Sequence, residues 1–515
     1  MSKLELFFEG TDFTPLARIE KGKTKKTFKF ICKKDNKIFN GDLKAKRGIL
    51  KEITDIINDE EKQLLLLKDF LLKSQEKIDD LIIDQSLDDR EKDLFDYHSQ
   101  KMYFGGLVGV ISIKNFEFNK HSYDITLQIK TRLDYRDYGT NKMNNDYFLM
   151  TLLYDGYTPL FGSDVKKDAD RLTDYLLLHG FLEKYEAAIV KGYFKTYYSK
   201  ENNDSRVKGV INVSKHISTN LGLYNGKITY SFKEKSEYNY INRLIVCAYE
   251  FLINKYGENI KNIMKKYPKL NESLETLKYF MKKPQYPNRR EIINKTINIL
   301  RHPYYTEYEE LRKICLKILR EEKQSPFSGE ENERVDGVLV YVPKLWENYI
   351  KKFFRNNKVI AQNKIKVFDI NDSNIYSQET IPDFVFYHNN KPFMILDAKF
   401  KPRWYDVATT GKIEDLLPDY DKCIRDMVSI NAFATGVIFP TNEELLYEDN
   451  NFESSNKKYN YCHNISKFNS MHKFYTFPIF IPKNEGEFGE WKKTFIINCK
   501  YIFSIINKII ESNKI

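Results

Sequence analysis

The sequence predicts a multidomain α/β (α+β) protein, and three observations support this class. The 515 residues exceed what one hydrophobic core ordinarily serves, so two or three domains are expected. Hydrophobic residues make up 42% of the chain and aromatic residues 15%, which is ample material for packed cores. Segments with helical spacing alternate with β-like apolar runs, which is typical of sheets covered by helices.

The composition excludes several classes of protein. Charged residues reach 30% but are interspersed, which excludes global disorder. The six cysteines form no CxxC pair, so neither a disulfide scaffold nor a structural zinc site is expected. Because no apolar run has bilayer-spanning length and the N-terminus lacks a signal-peptide pattern, we expect a cytoplasmic protein. The 83 Lys and Arg against 72 Asp and Glu give a net charge of +11, which is compatible with a polyanionic partner.

The order of patterns divides the chain into three predicted domains. Residues 1–101 form an N-terminal module of mixed α/β structure, and residues 102–320 form a middle region of strands and helices. A charged segment with Pro and Gly over 320–334 is the predicted linker. Residues 335–515 then alternate helix, strands, helix and strand, which predicts a small mixed sheet covered by helices.

Four segments carry the clearest local signals in the first two domains. Apolar residues at helical spacing over 49–81 predict a long helix or a helical hairpin. A strong helix signal covers 168–198. Residues 207–214 and 226–234 are two short apolar runs on either side of a polar connection, and both are predicted strands.

The most informative segment is IPDFVFYHNNKPFMILDAKF, residues 381–400, which predicts a β-hairpin. Two apolar runs flank turn-favouring residues, and a turn centred on Asn390 places Asp383 directly opposite Asp397. Opposite residues on one face of a hairpin have Cβ atoms only ~4.5–5.5 Å apart. Lys399 lies two positions beyond Asp397 and therefore on the same face of its strand.

Two carboxylates and an ammonium group on apolar strands predict metal-dependent phosphodiester hydrolysis. Apolar surroundings make such charges costly unless they are compensated, and Mg²⁺ is typically held by one or two carboxylates. We expect Asp383, Asp397 and the carbonyl of Ala398 to bind Mg²⁺, and Lys399 to orient water or stabilise developing charge. Glu347, in the predicted helix PKLWENYI, is a candidate third acid. The ordinary alternative is a surface hairpin with an Asp–Lys pair, because D-x-K is common in so charged a chain.

These residues resemble the PD-(D/E)xK nuclease motif, with Asp383 and Asp397 as its acids and Lys399 as its lysine. Over about residues 104–440 the chain resembles more specifically the McrC family, the nuclease subunit of McrBC-type modification-dependent restriction systems. The motifs that carry this resemblance are FGGLVGVISI, ITLQIKTRLD, NDYFLMTLLYDG, VKGVINVSKHISTN, GKITYSFKEKSEYNYINRLI, HPYYTEYEELRKICLKIL, VPKLWENYI, IPDFVF, LDAKFK and GVIFP. One departure is Lys422, which stands where the family commonly has Gln.

The resemblance implies a fold, an activity and partners. Residues 335–515 are expected to form a PD-(D/E)xK-type sheet flanked by helices, with Mg²⁺-dependent endonuclease activity on double-stranded DNA, modified or unmodified. The implied partner is an McrB-type AAA+ GTPase in a hexameric ring, which the middle region would engage and stimulate. Two such assemblies would pair their nuclease domains. The polar residues of the central block are the candidate partner contacts: Lys208, His216, Asn220, Glu234, Asn239, Asn242 and Arg243.

Two other functions stay open on the sequence. A non-catalytic adaptor would bridge and activate the motor without cutting DNA, although it has no need to keep Asp383, Asp397 and Lys399. A stand-alone repair nuclease would cut DNA without any nucleotide, and it leaves the central block unexplained. Each candidate partner contact is also well suited to be a cap, a turn residue or a surface charge.

Overall fold

The computed structural model describes most of the chain. The residues outside the described part are 1–3, 13–15, 21–22, 27–28, 35–36, 40–58, 85–86, 99–100, 120, 135–146, 155–164, 221–225, 266, 282–287, 321–333, 355–358, 362–364, 369–377, 389–390, 402–403, 405–415, 443–444, 449–450, 455–456, 460–461, 465–471, 484–487 and 513–515. No helix in the described part is both long and apolar enough to cross a bilayer.

The described residues form runs of strands and runs of helices along the chain. The strands are β1 (Leu4–Thr11), β2 (Ala17–Glu20), β3 (Lys23–Lys26), β4 (Lys29–Lys34), β5 (Lys37–Phe39), β6 (Phe95–His98), β7 (Lys101–Phe104), β8 (Leu107–Phe118), β9 (His121–Lys130), β10 (Thr196–Asp204), β11 (Val210–Ile211), β12 (Ile228–Ser236), β13 (Arg334–Tyr341), β14 (Val359–Ala361), β15 (Ile365–Phe368), β16 (Gln378–Thr380), β17 (Phe384–His388), β18 (Lys391–Ala398), β19 (Ala434–Thr441), β20 (Leu445–Glu448), β21 (Asn451–Ser454), β22 (Lys457–Tyr459), β23 (Cys462–Asn464) and β24 (Lys473–Phe480). The helices are α1 (Glu60–Gln75), α2 (Ile78–Leu81), α3 (Tyr147–Tyr154), α4 (Val165–Ile189), α5 (Val213–Asn220), α6 (Tyr240–Tyr256), α7 (Glu258–Met264), α8 (Pro268–Met281), α9 (Arg289–Thr296), α10 (Glu307–Arg320), α11 (Val342–Lys351), α12 (Leu417–Ser429) and α13 (Phe488–Ser512).

Two compact units make up the chain. The first unit comprises Met1–Leu172 and Asn332–Ile515, and the second comprises Thr173–Glu331. The predicted division into 1–101, 102–320 and 335–515 cuts the chain at other places, and it stays a prediction. The mixed α/β class is confirmed, because the described residues form several mixed sheets together with helices.

The first unit contains a six-stranded sheet in the order β13–β8–β9–β1–β4–β5. β8 and β9 form an antiparallel pair, β1 joins β9 in parallel, and β13 pairs antiparallel with β8. Helix α1 begins after Asp59, whose carboxylate accepts the backbone N–H groups of Glu61 and Lys62 at 3.0 and 3.2 Å. The helix packs on β8, where the rings of Phe70 and Phe116 lie 6.0 Å apart. Segments distant in sequence therefore share one sheet.

A second six-stranded sheet of the first unit has the order β14–β17–β18–β19–β24–β23. β17 and β18 are antiparallel, whereas β18, β19 and β24 run parallel. Every residue of β19 is buried, which is the pattern of a parallel strand covered on both faces. α12 lies against β18 and β19, and α13 lies against β24. The predicted mixed sheet with flanking helices is confirmed.

An aromatic cluster joins α3, α11 and α13 beside this second sheet. The ring of Phe148 lies 6.1 Å from Trp346, 6.1 Å from Phe400 and 6.0 Å from Phe495, and all four side chains are buried. Such ring pairs contribute about 0.5–1.5 kcal/mol beyond their buried area. Because Phe400 follows Lys399 directly, the cluster fixes the backbone next to that lysine.

The second unit combines a three-stranded sheet with a group of helices. β12 is the central strand and runs antiparallel to β10 and β11, and α5 lies against it. α6 packs against α8, α9 and α10. Phe181 on α4 stacks on Tyr185 and on Tyr249 of α6, with centroids 6.0 and 6.2 Å apart. The middle region is therefore both β and helical, as predicted.

The predicted helix over 168–198 is wrong at its C-terminal end. α4 ends at Ile189, and β10 begins at Thr196. Gly192 lies between them with φ of +81°, and its N–H donates to the carbonyl of Ile189 at 2.8 Å. A glycine in the left-handed region is a common end of a helix, and the Thr-Tyr-Tyr that follows favours a strand.

The predicted strand over 207–214 is wrong for most of its length, whereas that over 226–234 is confirmed by β12. Only Val210–Ile211 pair with β12, and α5 begins at Val213. Asn212 explains the change, because its side chain accepts the N–H of Lys215 at 3.1 Å. An asparagine in this position caps a helix and ends the strand.

Two other predictions fall partly outside the described residues. Of the predicted helical segment, residues 49–58 lie outside them, and the remainder forms α1 and α2 with a break between the two helices. Of the predicted linker, residues 321–333 lie outside them as well.

Candidate active site

The β17–β18 hairpin brings the two predicted acids together. Phe384 pairs with Leu396, the register that the predicted turn requires. Asp383 precedes β17 and lies beside Asp397. The backbone N–H of Ala398 donates to Oδ2 of Asp383 at 2.8 Å, which fixes the orientation of that carboxylate. A register shift occurs nearer the turn and leaves the acid end of the hairpin unchanged.

Asp397 is the centre of a buried ion-pair cluster and is 2% exposed. Nζ of Lys399 lies 2.5 Å from its Oδ2, and Nζ of Lys422 on α12 donates to its Oδ1 at 2.7 Å. Lys399 also lies 3.7 Å from Oδ1 of Asp419, whose Oδ2 accepts from Lys401 at 2.7 Å. Positive and negative groups therefore alternate from the interior towards the surface.

The two acids have opposite pKa shifts. Burial raises the pKa of Asp383 well above its usual range, and the charge of Asp397 raises it further. Burial also acts to raise the pKa of Asp397, but the ammonium groups of Lys399 and Lys422 outweigh it and hold that pKa below its usual range. Asp397 is therefore an anion, and Asp383 is the group whose ionisation requires compensation.

The two lysines of the cluster stay charged. Burial acts to lower the pKa of Lys399, but Asp397 and Asp419 raise it above its usual value. Burial acts in the same direction on Lys422, and the carboxylates of Asp397 and Asp383 raise its pKa as well. Both side chains are therefore hydrogen-bond donors and centres of positive charge, not bases.

Glu347 lies near the cluster without completing a three-acid site. Its Oε2 accepts from Lys344 at 3.1 Å on the same helix, and its charge contributes to the raised pKa of Asp383. Within the described ranges, no group of three or more His, Cys, Asp and Glu side chains is close enough to hold a metal ion. The buried carboxylate of Asp397 and the half-buried carboxylate of Asp383 nevertheless fit Mg²⁺, a hard cation often bound through one or two carboxylates together with water and substrate oxygens. A role for the Ala398 carbonyl stays a prediction.

Arg132 supports the strand end that carries Lys399 and was missed in the sequence. Its Nη2 donates to the carbonyl of Phe400 at 2.8 Å, and its guanidinium carbon lies 5.5 Å from the Phe400 ring centroid. The backbone N–H of Arg132 donates to Asp12 at 2.7 Å. Burial raises the pKa of Asp12 to about 6, against the opposing charge of Arg132. Through Arg132, which follows β9, the first sheet thus supports the strand end that carries Lys399.

Replacing Asp383 with Asn is expected to raise the melting temperature of the first unit at about pH 8. Folding raises the pKa of Asp383, so stability is lost as pH rises from the unfolded value of about 4 through the folded value. Asn stays neutral, and its side-chain oxygen still accepts the N–H of Ala398. The gain in melting temperature should therefore shrink as pH falls towards about 4.

Melting curves in metal-free buffer across this pH range test the expectation. Asp421→Asn, which changes an exposed carboxylate on α12, is the matched control. A gain that stays constant with pH, or a loss of stability at about pH 8, would contradict the electrostatic account of Asp383.

Two of the seven candidate partner contacts act inside the second unit. Asn242 is fully buried, and its Nδ2 donates to the carbonyls of Phe194 and Glu237 at 2.8 and 2.7 Å. Asn239 donates to the same two carbonyls and accepts the N–H of Asn242, capping α6. Asn242 therefore lies in the core of the unit, and a partner-binding role for Asn239 and Asn242 stays a prediction.

Three more of the candidates are held by neighbouring side chains. Asn220 is 8% exposed, and its Nδ2 lies 2.7 Å from Nδ1 of His216, while Asn203 donates to its Oδ1 at 3.0 Å. The guanidinium of Arg243 lies 3.8 Å from the ring centroid of Tyr238. These contacts order the unit, and a partner-binding role for the three residues stays a prediction.

The remaining candidates, Lys208 and Glu234, lie among exposed side chains. Oε2 of Glu234 accepts from the Tyr198 hydroxyl at 2.7 Å and from Lys200 at 3.0 Å. Large apolar side chains are also exposed on β10, β11, α5 and the residues beside them, on both faces of the three-stranded sheet. We call this exposed region the apolar surface: Tyr197, Tyr198, Val207, Val210, Ile211, Val213 and Ile217. Such groups of exposed apolar residues mark interaction sites in many proteins.

Comparison with known families identifies the chain. The model of the family described as "McrBC 5-methylcytosine restriction system component" matches residues 103–415, which is more than half of the sequence. The chain belongs to this McrBC family. The matched residues include Asp383, Asp397 and Lys399, and the family resemblance drawn from the motifs is confirmed.

Solved McrBC structures from Thermococcus gammatolerans are also similar to this McrBC component. A half-complex from a tetradecameric assembly of McrB AAA+ hexamers with bound McrC matches at 14% identity, over 86% of this chain and 95% of that chain, with a TM-score of 0.40. A cryo-EM structure of the McrBC complex matches at 14% identity over 57% of this chain and 80% of that chain, with a TM-score of 0.23. No curated protein matches the sequence.

Proposed function

We propose that this McrBC-family chain is the Mg²⁺-dependent DNA endonuclease subunit of its restriction system, with a nuclease fold of the PD-(D/E)xK type. It cleaves phosphodiester bonds when assembled with an AAA+ GTPase of the McrB type, whose hydrolysis it stimulates. The observation that supports this most strongly is the buried Asp397 beside the half-buried Asp383, with Lys399 at the end of the same hairpin. The solved McrB hexamers carry bound McrC, and this chain is proposed to take the corresponding place.

Asp383 and Asp397 would hold the Mg²⁺ ion, and Glu347 would assist from α11. When bound, Mg²⁺ supplies Lewis-acid polarisation of the scissile phosphate. The ammonium group of Lys399 orients the attacking water and stabilises charge on the phosphate oxygens, because it is a fixed positive charge in a buried site. Asp419, 3.7 Å away, holds Lys399 in position.

The two other functions explain less of the molecule. A non-catalytic adaptor explains the apolar surface of the second unit. It does not explain the buried carboxylate of Asp397 beside that of Asp383, since buried ionic groups often cost more than they contribute to stability. A stand-alone repair nuclease explains the acids and Lys399 but gives no reason for a match to an McrBC component over 103–415.

Plasmid cleavage by the purified chain tests the proposal. The reaction contains or lacks the proposed AAA+ partner of the McrB type, GTP or ATP, and Mg²⁺ or EDTA, on methylated and unmethylated plasmid. We expect cutting only with both proteins, nucleotide and Mg²⁺. Nucleotide hydrolysis without cutting would support the adaptor, and cutting by the chain alone would support the repair nuclease.

The apolar surface is proposed to contact the AAA+ partner. The double variant Val210→Asp, Val213→Asp places two charges on it and should weaken partner binding by about tenfold or more. Both positions are exposed, so the melting temperature should change little. Val190→Asp, at an exposed valine outside this surface, is the matched control. Unchanged affinity in a titration of labelled partner would remove this surface from the interface.

A further inference from the structure

We propose that Lys422 is a built-in counter-ion that competes with the divalent cation for Asp397, so that the metal binds only as the lysine departs. The inference rests on the proposed function, because it takes Asp383 and Asp397 as metal ligands. Lys422 was noted in the sequence only as a departure from the family pattern, and its ammonium group lies inside the candidate site.

The geometry of Asp397 supports the competition. Each of its two oxygens has an ammonium group beside it, Lys399 at 2.5 Å and Lys422 at 2.7 Å. Mg²⁺ binds its ligand oxygens at about 2.0–2.1 Å and demands near-ideal octahedral directions. A cation on Oδ1 would therefore lie within a few Å of the Lys422 ammonium group, and like charges at that distance repel strongly in a buried site.

The surroundings of the two lysines indicate which ammonium group leaves Asp397 when a cation binds. Lys399 follows the buried strand β18, has a side chain that is 20% exposed, and has a second carboxylate, Asp419, at 3.7 Å. The side chain of Lys422 is 30% exposed on α12. A lysine has a flexible four-carbon stem, so an ammonium group at this partly exposed position reaches water by rotation of its side chain.

Charge balance leads to the same assignment. Without a metal, three ammonium groups, those of Lys399, Lys401 and Lys422, already face the two carboxylates of Asp397 and Asp419. A divalent cation adds two further positive charges, and ionisation of Asp383 offsets only one of them. Release of Lys422 to solvent removes one of the surplus charges, whereas Lys399 stays as the positive group required beside the phosphate.

Binding of Mn²⁺ to the full chain, followed by the electron paramagnetic resonance signal of the free ion, tests the proposal. Lys422→Gln should bind Mn²⁺ about fivefold or more tightly than wild type, because one unit charge a few Å away is removed. Lys422→Arg keeps the charge and should not bind more tightly. Arg425→Gln removes the same charge one turn along α12, from a side chain whose Nε lies 3.8 Å from Asp426, and should stay close to wild type.

A second measurement uses the wild-type chain, so its outcome does not depend on whether a variant folds. Saturating Mn²⁺ should increase acylation of Lys422, measured by mass spectrometry of the digested chain, because the released ammonium group loses its carboxylate partner. Lys391, an exposed lysine at the hairpin turn, should react equally with and without Mn²⁺.

The variant Asp397→Asn distinguishes a failure of the proposed role of Lys422 from a failure of the proposed metal site. Equal or weaker binding by Lys422→Gln, with binding abolished by Asp397→Asn, would overturn the role of Lys422 and leave the metal site intact. Mn²⁺ affinity that Asp397→Asn does not change would instead overturn the metal site of the proposed function. Absence of Mn²⁺ binding in every variant would overturn both.

Discussion

Replacing Asp397 with Asn is expected to abolish DNA cleavage by the assembled complex while its nucleotide hydrolysis continues. The carboxylate lies between Lys399 and Lys422 and is the anion of the candidate site. Its loss removes a proposed metal ligand and the ion pair that positions Lys399. We expect the cleavage rate to fall by at least about 10²–10³-fold, the range for losing one group that stabilises a transition state.

Both activities are measured on one sample, as linearised plasmid and as released phosphate. Asp421→Asn, at an exposed carboxylate of the neighbouring helix, should cleave like wild type. The variant leaves two ammonium groups without their shared partner, so its melting temperature is recorded to exclude unfolding. Normal cleavage by a folded Asp397→Asn complex would rule out the proposed nuclease site.

The second large effect is expected from Phe148→Ala, which opens a cavity in the aromatic cluster. Phe148 contacts Trp346, Phe400 and Phe495, and its side chain is fully buried. Replacing a buried Phe with Ala costs about 3–5 kcal/mol in the free energy of unfolding. Because Phe400 adjoins Lys399, cleavage should also decline in folded molecules.

Urea unfolding followed by tryptophan fluorescence measures this loss specifically. All three tryptophans, Trp346, Trp404 and Trp491, belong to the first unit, so the signal reports that unit alone. Ile497→Ala, at a side chain that is 63% exposed on α13 of the same unit, should leave the transition unchanged. A loss below about 1 kcal/mol for Phe148→Ala would mean that the cluster repacks around the missing ring.

The local part of the candidate site could be predicted from sequence. The apolar runs and the turn between them determine the register of β17 and β18, and this register places Asp383 beside Asp397. The spacing of Asp419 and Lys422 on α12 was an available signal, since residues three apart share a helix face. Their proximity to Asp397 depends on how α12 packs on the sheet, which periodicity does not determine.

The supporting residue that was missed in the sequence makes its contact with a distant segment, whereas two helix ends had local signals. Arg132 reaches Phe400 across 268 residues of sequence, and no local pattern indicates such a contact. The start of α6 was signalled by Asn239, because an asparagine just before a helical run is a typical cap. A partner-binding role for Asn239 and Asn242 stays a prediction. The end of α4 was signalled by Gly192, a residue that favours the left-handed conformation found there.

Strand β13 has a consequence for how such a protein can evolve and be dissected. It pairs along its whole length with β8, and α11 begins at the very next residue, Val342, whose N–H donates to the carbonyl of Gly106 at 3.1 Å. A gene cut near residue 335 would strip β8 of its neighbour and leave an unpaired edge that invites aggregation. Recombination is therefore not expected to exchange the second sheet, which carries Asp397, without also exchanging the amino-terminal strands of the first sheet.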